Sequence, residues 1–300
     1  MRIEKLSLDR LNDFLVFCRT HRGDIDESFL YDDDLRDFVL DDDNPTYVAV
    51  SAAGTIIGAV SVMNSAYYQR GRKGRFRIFH VLPDHDGDIY AQLLSGITRE
   101  AINLDELYLF VRTDNSRMRR ILESLDFDIE RYAYYMVRDA APVAPPEWEN
   151  GYVLQPMVFN RDEADYCHVR NLGFATLTGS QTPMTPEEVS RMKDGDDYIE
   201  SGIFLLYHHA QPVGVVRTAE DVHEGERVIN IGPLALIPDY QGRGLGRKLL
   251  RAALSFGRDM ELEKSVLSAN VDNENAVRLY LSEGFRTAES VVCYTCRLPH

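Results

Sequence analysis

The chain has 300 residues, 44% of them apolar, with 13 Phe against one Trp and a formal net charge of −15. That is enough core for one large domain or two of ordinary size, and no run approaches the roughly eighteen apolar residues of a membrane-spanning helix. The acidic excess argues against nucleic acid or an anionic membrane as a main partner and is compatible with a basic or amine-bearing one.

The first stretch, MRIEKLSLDR, alternates polar and apolar residues without a hydrophobic signal core, so a cytoplasmic location is expected. Landmarks in the first half are Gly58 within GTIIGAVSV, Pro83-Asp84 at the head of PDHDGDIYA, Asp114-Asn115, and Phe127. Residues 139–150, DAAPVAPPEWEN, then break all periodicity with three prolines and three alanines, which reads as an interdomain linker. The landmarks return beyond it as Gly214 in QPVGVVRT, Pro238-Asp239, Asp272-Asn273 and Phe285, at offsets of 155 to 158 residues. So constant an offset predicts a duplication: a domain over 1–138, the linker, and a second domain over 151–300.

In the second half the pattern predicts a strand near 152–156 and a helix over about 161–173. A shorter helix follows, with Thr185 as N-cap, Pro186 at its first position and Glu188 completing a capping box. Strands at 199–207, 213–219 and 227–236 form an antiparallel meander, turning at 209–212 and 223–226. A helix over 244–259 places Leu245, Leu249, Ala253 and Phe256 on one face. A strand at 264–270, a helix at 273–284 and a strand across 286–298 complete a β-α-β-α-β tail. Of the four cysteines, Cys18 and Cys167 stand alone. Cys293 and Cys296 sit three apart in a strand-like run, facing opposite sides, so they read as structural thiols and no metal is expected.

Between the 227–236 strand and the helix after it stands PDYQGRGLG, residues 238–246. Each glycine in a helix costs roughly 1 kcal/mol against alanine, so three near one helix start call for a reason. Glycines there expose consecutive backbone N–H groups at the positive end of the helix dipole, a ready-made site for closely packed phosphates. A P-loop is excluded because Gly246 is followed by Arg247-Lys248 with no hydroxyl. A dinucleotide-binding loop is excluded by the G-x-G-x-G spacing and the antiparallel strands before it.

The combination resembles the GNAT superfamily of N-acetyltransferases, whose acyl-CoA signature Q/R-x-x-G-x-G/A follows the fourth strand. Gln241, Gly244 and Gly246 match it, and Asn273-x-x-Ala276-x-x-x-Tyr280-x-x-x-Gly284-Phe285 matches the family's next signature. The resemblance implies an α/β (α+β) fold: two tandem GNAT-like domains, each a mixed, mainly antiparallel twisted sheet flanked by helices. It implies acetyl-CoA as co-substrate. Backbone groups of Leu234, Ala235 and Leu236 would pair with its pantetheine arm, and Gly242, Arg243, Gly244, Leu245, Gly246 and Arg247 would hold its pyrophosphate. Asn273 would hydrogen-bond the cofactor, and Tyr280, two helical turns or about 10 Å further along, would be the general acid at the sulfur. The general base stays open: the position five before Asn273, a glutamate in some members, is Ser268 here, and Glu220, Asp221, His223, Glu224 and Glu226 read as a solvated hairpin.

In the first half, Asp86, Gly87, Ile89 and Ala91 stand where Gln241, Gly242, Gly244 and Gly246 stand in the second, and Asp88 replaces Arg243. Asn115 is kept, but Leu122 replaces Tyr280 and Asp126 replaces Gly284. The first domain is therefore expected to keep the fold without binding cofactor. The resemblance makes the chain an N-acetyltransferase for a small-molecule or peptide amine, as a monomer or homodimer. A non-catalytic acyl-CoA sensor is the rival reading. The tandem plan and size are also similar to those of mycothiol synthases, so the amine of a thiol precursor is one possible acceptor.

Overall fold

The computed structural model describes residues 1–25, 29–85, 88–149 and 151–298. In chain order the elements begin with β1 (Arg2–Lys5), α1 (Leu11–His21), α2 (Asp32–Arg36), β2 (Thr46–Val50), β3 (Ile56–Met63), α3 (Ala66–Gly71) and β4 (Lys73–Val81). Then come α4 (Ile89–Thr98), β5 (Glu106–Arg112), α5 (Ser116–Ser124) and β6 (Asp128–Arg138). The second half contributes β7 (Tyr152–Pro156), α6 (Glu163–Gly173), α7 (Pro186–Ser190), β8 (Tyr198–His208), β9 (Gln211–His223) and β10 (Glu226–Leu236). It ends with α8 (Leu245–Asp259), β11 (Ser265–Asn270), α9 (Glu274–Ser282) and β12 (Arg286–Arg297).

Two compact units result, one from Met1–Tyr132 with the chain from Val291 onward, the other from Ala133–Ser290. Their strand orders are β1-β2-β3-β4-β5-β12 and β6-β11-β10-β9-β8-β7. Each is a mixed, mainly antiparallel sheet flanked by helices, with one parallel pair: β4–β5 in the first and β10–β11 in the second. These units divide the chain differently from the Pro/Ala-rich segment. Ala133 to Arg138 pair with β11, whereas Val291 to Arg297 pair with β5, so backbone pairing and not composition sets the boundaries. Residues 139–149 hold no helix or strand, yet Val143 and Trp148 pack on the second core, and Arg138 and Arg258 hold the carbonyls of Ala141 and Val143.

Local chemistry accounts for the elements around the site. The two meander turns are two-residue loops with both central residues at positive φ, His209-Ala210 (48° and 68°) and Glu224-Gly225 (53° and 80°), which matches the twist of the strands they join. The capping box at Thr185 and Glu188 forms in both directions, with Pro186 first in α7. Leu245, Leu249 and Ala253 of α8 are buried against Leu206, Val213 and Val215 of the sheet, and α6 covers the same face with Tyr166 and Val169. No helix among the described residues is long and apolar enough to cross a membrane.

The parallel pairs are short. β10 meets β11 only at Ile229↔Ser265 and Asn230↔Val266, so both strands run on past the pairing. β4 and β5 do the same after Lys73↔Glu106 to Arg75↔Tyr108. α6 ends directly over the unpaired part of β10: a Cβ on Gly173 would stand 3.0 Å from both Ala235 Cβ and the Leu236 carbonyl oxygen. Gly173→Ala should therefore destabilise by about 1–3 kcal/mol through overpacking, even though alanine gains up to about 1 kcal/mol of helix propensity. Urea unfolding checks this, and a gain in stability would contradict so close a helix–strand approach.

Candidate active site

The free edge of β10 comes first, because it exists before any side chain is considered. Ile237 donates its N–H to Val213 O of β9 at 3.1 Å. Backbone groups on a strand alternate between its two edges, so Leu236 and Leu234 turn their N–H and C=O groups toward the edge β11 has left. Ala235 turns its own toward β9. Of the three expected backbone partners, Leu234 and Leu236 thus face the opening and Ala235 faces away. Gln241 closes part of that edge, donating from Nε2 to Leu236 O at 3.0 Å, so its side chain serves to fold the loop back onto the strand.

The glycine loop follows. Gly242 (φ 72°) and Gly244 (φ 79°) adopt left-handed backbone, with open space where a side chain would project. Gly244 is the N-cap of α8 and offers no side-chain cap, so the helix start is uncapped. The first helical bond is Lys248 N–H to Gly244 O at 3.3 Å. Among the described residues no acceptor meets the N–H of Gly242, Arg243, Gly244, Leu245, Gly246 or Arg247. The first turn contains no acidic residue and carries Arg247 and Lys248, the reverse of what a helix dipole favours. Six unpaired amides among basic side chains fit an anion with several charged oxygens, as a pyrophosphate has.

Gly246 differs from the other two. Its φ is ordinary, and a Cβ there would meet only Leu279, Leu236 and Leu234 side chains at 3.7–4.0 Å. Neither conformation nor packing demands glycine at this position. Those three neighbours also show that the start of α8, the end of β10 and α9 converge on one spot. The basic side chains are partly engaged: Arg243 lies 4.8 Å over the Tyr240 ring, Arg247 reaches Glu283 at 3.3 Å and Ser282 Oγ at 3.1 Å, and Lys248 reaches Glu149 at 3.0 Å. The buried Glu283 carboxylate, gripped twice by Arg251 at 2.8 and 3.0 Å, ties α9 to α8.

On α9 most motif members serve the ends of the helix. Asn273 is the N-cap, its side-chain oxygen accepting from Ala276 N–H at 3.2 Å. Gly284 (φ 90°) and Phe285 form the C-terminal cap: Phe285 N–H bonds Tyr280 O at 3.0 Å and Gly284 N–H bonds Leu281 O at 3.2 Å. The Tyr280 ring packs edge-on to Phe285 at 5.9 Å, the apolar contact that accompanies such a cap. Its hydroxyl alone has no structural task, since no partner meets it among the described residues. Burial pushes this phenol up to about 12.

The acids near the meander turn are engaged with one another's neighbours. Glu220 is paired twice with Arg227 at 2.5 and 2.7 Å, Asp221 accepts from Asn230 at 2.9 Å, and Glu224 and Glu226 lie by Lys264 at 3.6 and 3.2 Å. His223 lies against Tyr135 at 5.5 Å, and Ser268 is exposed. The 174–185 loop is better fixed than its Gly and Thr content suggests. Arg170 donates to Thr182 O at 2.5 Å, Asn171 brackets Met184 with two bonds at 2.8 and 2.9 Å, and Asn270 donates to Thr178 O at 2.9 Å. These anchors are polar side chains on helix and strand ends, for which sequence periodicity gives no signal.

In the first unit, Asp86 and Gly87 lie outside the described residues. Around them the same backbone plan is filled by the protein itself. Tyr90 takes the Val81 N–H on its hydroxyl at 3.1 Å, and Arg117 donates to Val81 O at 3.2 Å, so Val81 at the edge of β4 is satisfied internally. Phe79 packs edge-on to Tyr90 at 5.0 Å and stacks on Phe76 and Phe127 at 5.1 and 6.4 Å. Ile89 and Tyr90 are buried at the start of α4, whose N-cap is Asp88. Asn115 caps α5 at 3.0 Å and Asp126 (φ 60°) takes the left-handed position of Gly284, so both retained features are explained by helix ends.

Comparison with known proteins agrees with this geometry. Residues 174–285 match the Acetyltransferase (GNAT) family. The mycothiol acetyltransferase of Nocardia farcinica is 25% identical over 278 residues, covering 82% of this chain and 91% of that protein. The mycothiol acetyltransferase of Streptomyces griseus is 26% identical over 216 residues, covering 71% and 69%. Among solved structures, a GCN5-related N-acetyltransferase from Sphaerobacter thermophilus superposes with a TM-score of 0.71 at 16% identity, covering 100% and 96% of the two chains. A tandem GNAT protein from the clavulanic acid biosynthesis pathway gives 0.69 at 14% identity, covering 100% and 99%. Residues 174–285 thus form an acetyltransferase domain of the GNAT family, and the fold of the chain is shared with tandem GNAT proteins.

Proposed function

We propose that the C-terminal unit transfers the acetyl group of acetyl-CoA to a primary amine by direct attack on the thioester. The observation that carries this reading is the row of six unpaired amides at the start of α8 beside the open edge of β10. Bound acetyl-CoA supplies an activated carbonyl on a thiolate leaving group. Gly242 to Arg247 hold the pyrophosphate, and Leu234 and Leu236 pair with the pantetheine amides as a neighbouring strand does. The Leu234 N–H stabilises the oxyanion that forms when the amine attacks. The C–S bond then breaks, and Tyr280 gives its proton to the departing sulfur. The attacking nitrogen releases one proton, which restores the phenol, so the products are the amide and free CoA. A phenol raised to about 12 stays protonated at neutral pH, as a donor must.

The relatives named for mycothiol acetylation make the amine of a small thiol precursor the first acceptor class to test; peptide amines come second. The first unit, with the β4 edge occupied by Tyr90 and Arg117, serves as a non-catalytic partner domain. An acyl-CoA sensor without turnover is the second reading, and the hydroxyl of Tyr280, free of any structural bond, weighs against it.

Tyr280→Phe keeps the ring contact with Phe285 and removes only the proton. Its kcat should fall about 10²–10⁴-fold with little change in KM for acetyl-CoA, in a thiol-release assay. In the wild type, kcat should show no loss from ionisation of this phenol up to about pH 10, because burial raises the folded-state value above the ordinary tyrosine range near 10. Equal turnover by both proteins would remove Tyr280 from the mechanism.

Gly246→Glu separates fold from binding. The site has room for a side chain, and a carboxylate in the first helical turn stabilises a helix by about 0.3–1 kcal/mol, so Tm should hold or rise. The same charge repels a pyrophosphate, and KM for acetyl-CoA should increase at least about tenfold, the equivalent of roughly 1.4 kcal/mol. Calorimetric titration of the wild type with CoA should give one site per chain. Two sites would refute the assignment of the first unit as unable to bind.

A further inference from the structure

Away from this machinery, three metal-ligating groups of the first unit converge. α1 ends on His21, the single 3-10 turn after it (Arg22–Asp24) ends on Asp24, and His80 stands one residue before the end of β4. Their ligand atoms all lie within 4.8 Å of one another. His21 Nδ1 is 3.0 Å from Asp24 Oδ2, and His80 Nε2 is 3.8 Å from the same oxygen. Ligand atoms bound about 2.0–2.2 Å from a tetrahedral ion lie roughly 3.3–3.5 Å apart, a spacing that these two distances bracket. The 3.8 Å separation is too long for a hydrogen bond and suits two ligands of one ion.

The surroundings hold the group in place. The two imidazoles stack at 5.1 Å, and the Phe17 ring packs on them at 4.7 and 6.0 Å. His80 is buried on the face that carries Phe14, Phe17 and Ile78, whereas Asp24 is exposed and His21 partly so. An ion can therefore enter from solvent and seat against a rigid inner ligand. Two imidazole nitrogens and one carboxylate oxygen suit zinc, with a fourth position left for water.

We propose that His21, Asp24 and His80 form a zinc site that fastens the end of α1 and its following turn to β4. The test is equilibrium dialysis of the full chain against micromolar zinc, with elemental analysis. The expected result is one zinc per chain, held at least about 100-fold more weakly by His21→Asn and by Asp24→Asn. Both substitutions are away from the buried His80, and circular dichroism confirms that the variants fold. Zinc in excess should raise Tm of the wild type and leave the variants unchanged, and cobalt(II) should give visible ligand-field bands in the wild type alone. No zinc retained by the wild type, or the same stoichiometry in both variants, overturns the site and leaves a plain histidine–aspartate hydrogen bond.

Discussion

Two residue pairs hold β10 to β11, and the open edge of β10 depends on how soon that pairing stops. Past Asn230 and Val266 the strands part, leaving Leu234 and Leu236 with backbone groups that no strand meets. A buried edge of this kind is costly unless something satisfies it. The two units meet the same demand differently. In the first, the β4 edge is closed by the Tyr90 hydroxyl and the Arg117 guanidinium, and the space is filled by Phe79 and Phe127. In the second, Gln241 closes one carbonyl, and Leu234, Leu236 and Leu279 surround Gly246 at the start of α8. One edge is met at Val81 by the protein's own side chains; the other stays open at Leu234.

The start of α8 adds the second constraint. Helices gain stability from a capping side chain and from acids in the first turn, and α8 has neither. Gly242 and Gly244 are needed for their left-handed backbone, so the loop shape itself requires them. Gly246 is required by nothing in the fold, and its missing side chain keeps the amides approachable. The helix forgoes its own stabilisation at the end where an anion would restore it. That stabilisation is recovered elsewhere, through the apolar face of Leu245, Leu249 and Ala253 and the bridge from Arg251 to Glu283.

Much of this was legible before the structure. The period of α8, the capping box at Thr185 and both meander turns follow from local rules, and local structure obeys them. The exchange of strand ends between the units was not legible, because β6 and β12 look like ordinary terminal strands and only long-range pairing decides where they belong. The edge-closing role of Tyr90 was hidden for a related reason. Its partner, Val81 N–H, is a backbone group made available by a parting of strands that no sequence pattern announces. Asn273, expected from the family motif as a cofactor contact, also stands just before a helix, and its side-chain oxygen makes the cap that this position predicts.

The duplication acts as an internal control on which motif residues do chemistry. Asn115 and Asn273 both cap helices, and Phe127 and Phe285 both close the ends of those helices. Asp126 and Gly284 both supply the left-handed residue between. These features are common to a unit with an open β10 edge and to one whose edge is filled, so they belong to the fold. What distinguishes the second unit is short: glycines at 244 and 246, Leu234 at the end of β10 where the first has Phe79, and a hydroxyl at 280 where the first has Leu122. Leu122 O accepts the Phe127 N–H as Tyr280 O accepts the Phe285 N–H, so the phenolic oxygen is what position 280 adds. That oxygen meets no partner among the described residues, and burial of the side chain pushes the phenol up to about 12.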